Sequence, residues 1–259
     1  MHPTQDYLNG AEKVINGVLQ EVRPRLLQAF GNTTYTVKAD HSVVTELDTL
    51  IEEKLRAALY SFDSSVGFGG EESGVDYSQK TFWIVDPVDG TEQLLRGLPG
   101  SSSHAVLIDD GRPVMSLIYG FIEDDRYRAV AGQGAWRNEV SLRVGGRSID
   151  RAWIDVSSPF KTPYEQAVRD NLGSVATIVH SIQAARYVAE GKIEGYVVCN
   201  GHGGPWDYAP RTLLIQEAGG RVTNLEGGAY DYRSPNFIAT NPVVFDAVLT
   251  AIKRATPLA

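Results

Sequence analysis

Two aspartates three residues apart, Asp86 and Asp89, end the apolar run Trp83-Ile84-Val85 and enter the segment Asp86-Pro87-Val88-Asp89-Gly90-Thr91. Carboxylate oxygens are the ligands that hard divalent cations take. The proline and glycine read as a turn, and Thr91 as the start of a helix whose first N–H groups can meet a phosphate. Between Glu71 and Glu92 six acids (Glu71, Glu72, Asp76, Asp86, Asp89 and Glu92) stand against one base, Lys80. Acids gathered in one place repel each other unless protons or cations intervene. A bound divalent metal is the natural resolution, and an all-oxygen donor set favours Mg2+. None of the five histidines has a zinc-like spacing. An EF-hand does not fit, because the later oxygen ligands and the closing Glu are missing. The aspartyl-phosphate motif of haloacid dehalogenase-type phosphatases spaces its aspartates more tightly than Asp86 and Asp89.

The elements that must position these groups follow from periodicity. Leu8, Ala11, Val14, Ile15, Val18, Leu19 and Val22 keep helical spacing, and Pro24 is expected to kink or end that helix. Tyr35–Val37 reads as a short strand. Thr45 opens a second helix with Leu47, Leu50, Ile51, Leu55, Ala58 and Leu59 on one face, and Thr45 with Asp48 makes a capping box. Gly67 to Gly74 reads as a glycine-rich turn carrying Glu71 and Glu72, and Thr81–Val85 as a buried strand. Antiparallel hairpins follow, around Asp109-Asp110-Gly111 and Glu123-Asp124-Asp125. Beyond about residue 150, strands at 152–156, 175–179 and 195–198 interleave with helices at 164–172, 182–190, 207–218 and 243–254. This mixture favours a layered α/β sandwich over a purely parallel sheet. The expected organisation is one catalytic unit over 1–259, with a metal-site lobe at 1–150 and a substrate lobe at 151–259.

Composition bounds the rest. The chain has 259 residues, 42% hydrophobic and 22% charged, with net charge −8. That supports a sizeable core and shows no basic face for nucleic acid. Cys199 is the one cysteine, which excludes an internal disulfide and suits a reducing compartment. No apolar run reaches about 18 residues, and the N-terminus lacks a basic start followed by an apolar block. The expected setting is cytoplasmic, without membrane partners.

Three blocks resemble the inositol monophosphatase-like family, whose members include fructose-1,6-bisphosphatases, bisphosphate nucleotidases and one type of histidinol phosphatase. They are Gly70-Glu71-Glu72-Ser73, the segment from Trp83 to Thr91, and Trp206-Asp207-Tyr208-Ala209 followed by Glu217-Ala218-Gly219-Gly220. A weaker element is Lys38 with Val44-Thr45-Glu46-Leu47-Asp48. Order and spacing match from near residue 8 to the C-terminus. The resemblance implies a layered αβαβα sandwich with mixed sheets, two or three Mg2+ ions, lithium sensitivity and a homodimer. It implies metal ligands at Glu71, Asp86, Asp89, Asp207 and the Val88 carbonyl. Thr91 and Asp48, with Glu71, would activate a water, and Gly90 and Thr91 N–H groups would bind phosphate. The implied activity is Mg2+-dependent hydrolysis of a small polyol, sugar or nucleotide phosphate of the inositol-1-phosphate type. Bisphosphate nucleotidase, fructose-1,6-bisphosphatase and histidinol phosphatase activities are alternatives, as is a non-catalytic regulatory protein on the same scaffold.

Departures concern the substrate. The stretch Val198–Pro205 carries Cys199 and Asn200 where inositol-preferring relatives place an acid, which counts against inositol preference. Asn200, with Asp207, is the candidate substrate contact, and His202 an equal mixture of contact and loop. Pro210 departs from the family's small residue and is read as lying in the first turn of the helix that Asp207 begins. Arg96 and Arg186 are candidates for a second anion, and Trp83 and Trp206 for packing.

Overall fold

Thr4 starts the first helix: its hydroxyl accepts the Tyr7 N–H at 3.2 Å, and α1 (Gln5–Ala29) follows. The stripe Leu8, Ala11, Ile15, Leu19, Val22 and Leu26 is buried. The helix does not end at Pro24, because Leu26 continues that stripe for another turn. Beside the proline, Arg23 donates to the Phe121 carbonyl at 2.8 Å. Packing thus outweighs the single backbone bond that proline removes.

The computed structural model describes residues 3–39, 42–157, 162–179, 181–199, 201 and 203–255. The chain divides into two compact units, Met1–Arg128 and Ala129–Ala259. In the first, α1 is followed by the hairpin β1 (Thr36–Val37) and β2 (Val43–Val44), then α2 (Glu46–Phe62), β3 (Gly67–Gly70), β4 (Thr81–Asp89), α3 (Thr91–Arg96), β5 (Ser102–Asp109) and β6 (Arg112–Gly120). β7 (Asp125–Val130) carries the chain past residue 128. The strands run in the order β3-β4-β5-β6-β7. β3 and β4 are parallel and β4-β5-β6 antiparallel. α1 and α2 pack on each other and against β6 and β4.

Two expectations change here. Gly67–Gly70 is a strand rather than part of a turn. Its glycines serve close approach: a Cβ on Gly69 would lie 2.7 Å from the Gly74 carbonyl, and one on Gly67 2.9 Å from Phe82 Cβ. β4 runs through Asp86 and Pro87 to Asp89 rather than ending at Val85.

The second unit holds the hairpin β8 (Gly134–Arg137) and β9 (Val140–Ser141), then β10 (Trp153–Ser157), α4 (Pro163–Gly173), β11 (Thr177–Val179), α5 (Ala184–Ala189), β12 (Gly195–Val198), α6 (Pro205–Glu217), β13 (Arg221–Thr223), β14 (Phe237–Thr240) and α7 (Phe245–Arg254). Its five-stranded sheet has the order β11-β10-β12-β14-β13. Strand alternation sorts the core into two layers. Val197, Cys199 and Ile238 face a cluster with α4 and α7 residues Val168, Leu172, Phe245 and Val248. Tyr196, Val198, Phe237 and Ala239 face the other, with Ala184, Val188, Tyr208 and Ile215 of α5 and α6. Helix, sheet and helix are therefore stacked, as a mixed, layered α/β fold requires. No helix among the described residues is long and apolar enough to cross a membrane.

Candidate metal and phosphate site

Asp86 and Asp89 both belong to β4, and three residues of regular strand would send their side chains to opposite faces. The register against β5 corrects this. Asp86 pairs with His104 and Asp89 with Ser102, so three steps on β4 oppose two on β5, and a bulge lies between the aspartates. One added residue restores the shared face. A carboxylate oxygen of each then lies within 4.8 Å of the other. Asp86 is 1% exposed and Asp89 8%. Two serines pin the distortion: Ser103 of β5 donates to the Asp86 carbonyl at 3.2 Å, and Ser101, just before β5, to the Gly90 carbonyl at 2.9 Å. Buried His104 sits 3.4 Å from Asp89 Oδ2 and 3.1 Å from Ser102 Oγ.

Gly90 turns the chain from β4 into α3 with φ +80°, a conformation that glycine adopts without steric cost. Thr91, half-buried, then points its hydroxyl back at the Val88 carbonyl (2.9 Å) and at Asp48 Oδ1 (3.2 Å). Asp48 is held by its other oxygen. Oδ2 accepts the Thr45 N–H at 2.8 Å and the Thr45 hydroxyl at 2.6 Å. The capping box and the contact with Thr91 therefore coexist on one carboxylate. Burial raises the Asp48 carboxyl above the ordinary range, against the lowering by Thr45.

Glu71 follows β3 directly, and its N–H donates to the Val85 carbonyl at 3.0 Å. Lys38 is engaged rather than a free surface lysine: its Nζ donates to Glu71 Oε1 at 2.8 Å and Glu72 Oε1 at 2.6 Å. Burial lowers the Lys38 ammonium, but the two glutamates outweigh it and the net shift is upward. Burial raises Glu71, while Lys38 acts to lower it. The first unit thus brings together Lys38, Asp48, Glu71, Glu72, Asp86, Val88, Asp89, Gly90 and Thr91 along β3, β4 and the adjoining helix starts. The donors that could hold a cation are all oxygens, two of them on buried carboxylates close enough to repel, and that chemistry fits Mg2+.

In the second unit Asp207 is the third residue of α6, not its cap, and its Oδ2 accepts the Gly204 N–H at 2.8 Å. The helix starts at Pro205, so Pro210 lies beyond the first turn, contrary to the expectation. A Cβ on Gly203 would lie 2.2 Å from Asp207 Oδ2, which explains a glycine at that position, with φ +102°. Asn200 and His202 lie outside the described residues. Arg96 is exposed and paired with Glu92 at 2.9 Å, and Arg186 is buried on α5. Trp83 is 1% exposed and donates to Tyr7 Oη at 3.3 Å, a packing role. Trp206 stacks close over Gly204, where a Cβ would lie 2.5 Å from its ring.

Two buried residues near the candidate ligands carried no sequence expectation. His104, beside Asp89, immediately precedes the apolar run Ala105–Ile108 of β5. Glu52, 3% exposed, lies one turn after Asp48 and accepts the Glu72 N–H at 3.0 Å. At Glu52 a polar residue stands where periodicity predicts an apolar one.

Similarity to known proteins gives the family. The inositol monophosphatase family matches residues 4–256. The chain is 31% identical to the inositol-1-monophosphatase of Rhizobium meliloti, over 87% of this chain and 88% of that one. It is 29% identical to the Nus factor SuhB of Escherichia coli K12, over 83% and 84%. The crystal structure of the suppressor protein suhB from Bartonella henselae superposes with TM-score 0.85 at 26% identity, covering 94% of this chain and 98% of that one. An IMPase of Thermotoga maritima shares the fold, with TM-score 0.84 at 24% identity over 97% and 98%. The chain belongs to the inositol monophosphatase family, a family of phosphoric monoester hydrolases that act on small phosphorylated substrates.

Proposed function

We propose that the chain hydrolyses a small polyol, sugar or nucleotide phosphate with the help of Mg2+. The observation that carries this reading is the β4 bulge, which turns two buried carboxylates, Asp86 and Asp89, to one side within 4.8 Å. Glu71, the Val88 carbonyl and, from α6, Asp207 complete the proposed ligand set for two or three ions. When bound, Mg2+ supplies Lewis-acid polarisation of phosphoryl oxygens and acidifies a coordinated water. The residues do the rest. Thr91 and Asp48 take up the proton of the attacking water. The Gly90 and Thr91 N–H groups meet phosphate oxygens where charge develops. Lys38 pairs with both Glu71 and Glu72 and offsets part of their charge. Asn200 and Asp207 are the proposed contacts to the substrate's hydroxyls.

A relative from Rhizobium meliloti named inositol-1-monophosphatase supports the substrate class. So does a solved IMPase/NADP phosphatase complexed with Mg2+ and phosphate, which shares the fold at 21% identity and TM-score 0.81. The proposed setting is a cytoplasmic homodimer, in keeping with a single, buried cysteine. Sedimentation of the purified chain measures the oligomer. A second reading, a regulatory binding protein, draws support from the relatives named Nus factor SuhB.

Inorganic phosphate release from a panel of phosphomonoesters separates the two. The expected result is Mg2+-dependent turnover of at least one substrate, with Asp89→Asn slower by about a hundredfold or more. No turnover across the panel would favour the regulatory reading, and an unimpaired variant would remove Asp89 from the proposed ligand set.

A further inference from the structure

We propose that Glu52 is a positioning residue that fixes the Gly70-Glu71-Glu72 turn, and so aims the Glu71 carboxylate for divalent-metal binding. This rests on the reading of Glu71 as a ligand. Glu71 can be aimed only if the two peptide groups flanking its Cα are held. The Glu71 N–H is held by the Val85 carbonyl at 3.0 Å, from β4. The N–H of the next peptide, that of Glu72, is held by Glu52 Oε2 at 3.0 Å, from α2. Both tethers come from elements that already carry site residues, since Val85 precedes Asp86 and Glu52 follows Asp48 by one helical turn.

The contact is built from both sides. Gly70 has no side chain where one would collide, because a Cβ there would sit 2.3 Å from Glu52 Oε2. The other oxygen, Oε1, accepts from Arg56 at 3.3 Å. The Arg56 guanidinium in turn lies 5.0 Å from the ring centroid of Phe68, on the strand that leads into the turn. Asp48, Glu52 and Arg56 recur every four residues and share one helix face. A buried carboxylate is a costly partner for one amide unless its position matters. Residues that orient metal ligands typically cost 10–100-fold in metal affinity when removed.

The test is calorimetric titration of the whole chain with Mg2+ and no substrate, using wild type, Glu52→Ala, Glu52→Gln and Gly70→Ala, with circular dichroism to verify folding. Glu52→Ala is expected to weaken Mg2+ binding by about tenfold or more. Glu52→Gln, which still presents an oxygen to the Glu72 N–H, should stay within about threefold. Gly70→Ala should weaken binding like Glu52→Ala, yet add little on top of it, because the collision disappears with the carboxylate. In turnover, the alanine variant should raise the Mg2+ concentration for half-maximal rate while kcat at saturating Mg2+ recovers. A folded Glu52→Ala with wild-type Mg2+ affinity would overturn the proposal and leave Glu71 as a ligand untouched. Glu52→Gln as weak as Glu52→Ala would overturn the hydrogen bond as the cause. If Glu52→Ala does not fold, Gly70→Ala decides: unchanged affinity there overturns the proposal. No Mg2+ uptake by wild type would remove the metal reading together with this one.

Discussion

Thr91 carries one hydroxyl proton and has two acceptors in range, the Val88 carbonyl and Asp48 Oδ1. It can satisfy one of them at a time, which suits a group that receives a proton from water and passes one to Asp48. Thr91→Ala should therefore lower kcat by about 10²–10⁴, while Thr91→Ser stays within about tenfold and both retain Mg2+ affinity. Steady-state kinetics beside titration calorimetry tests this, and an alanine variant with wild-type kcat would remove the pair from the chemistry. Asp48 and Thr91 were legible because each falls in a family block. Glu52 was not, because an acid on a helix ordinarily reads as part of the solvated face. Only its place on the buried side, beside Ile51 and Leu55, marks it.

At the scale of elements, the Asp-Pro-Val-Asp stretch contains turn formers, yet it completes a buried strand. Proline has no N–H for a ladder and is tolerated at a bulge, and the bulge is where Pro87 stands. The pairing partner that reveals this, Ser102 to His104, lies beyond a helix in sequence, so no local pattern could show it. Gly67–Gly70 was hidden for a different reason: with glycine at three of its four positions, the strand shows no alternation. The start of α2, by contrast, was plain from Thr45 and Asp48. That cap has a double duty, since the same Thr45 that closes the helix end anchors Asp48 Oδ2. Thr45→Ala should cost about 1 kcal/mol of stability in urea and also reduce kcat, because Asp48 loses its anchor. A loss of stability with unchanged kcat would mean that the cap and the chemistry are separate.

For the whole molecule, the layered α/β class follows from the order of helical and alternating segments. Among the missing pieces were β13 and β14, three and four residues long, whose identity depends on pairing (β14 with β12, and β13 with β14) rather than on their own composition. Cys199, at the end of β12, reports on this second core. Burial, with Glu165 adding to it and Arg169 opposing, pushes its thiol up to about 11. At neutral pH the group is a buried thiol, so iodoacetamide should label it only when the unit opens, and labelling in native buffer at the rate of a free cysteine would contradict the packing. A raised pKa means that the folded state holds the proton longer than the unfolded chain. Stability should then fall as pH rises from about 9 to about 11, by up to about 3 kcal/mol. Urea titrations across that range should show a flatter profile for Cys199→Ala.

A helix that presents Asp48, Glu52 and Arg56 on one line makes their alignment a matter of residue count. Losing or gaining one residue between Thr49 and Ile51 would rotate everything after it by about 100°. Glu52 and Arg56 would swing away from Gly70 and Phe68 while Asp48 stayed at the helix start. Single-residue length changes are therefore excluded from this turn of the chain, while the exposed positions Thr49 and Glu53, which point elsewhere, remain open to exchange of side chain.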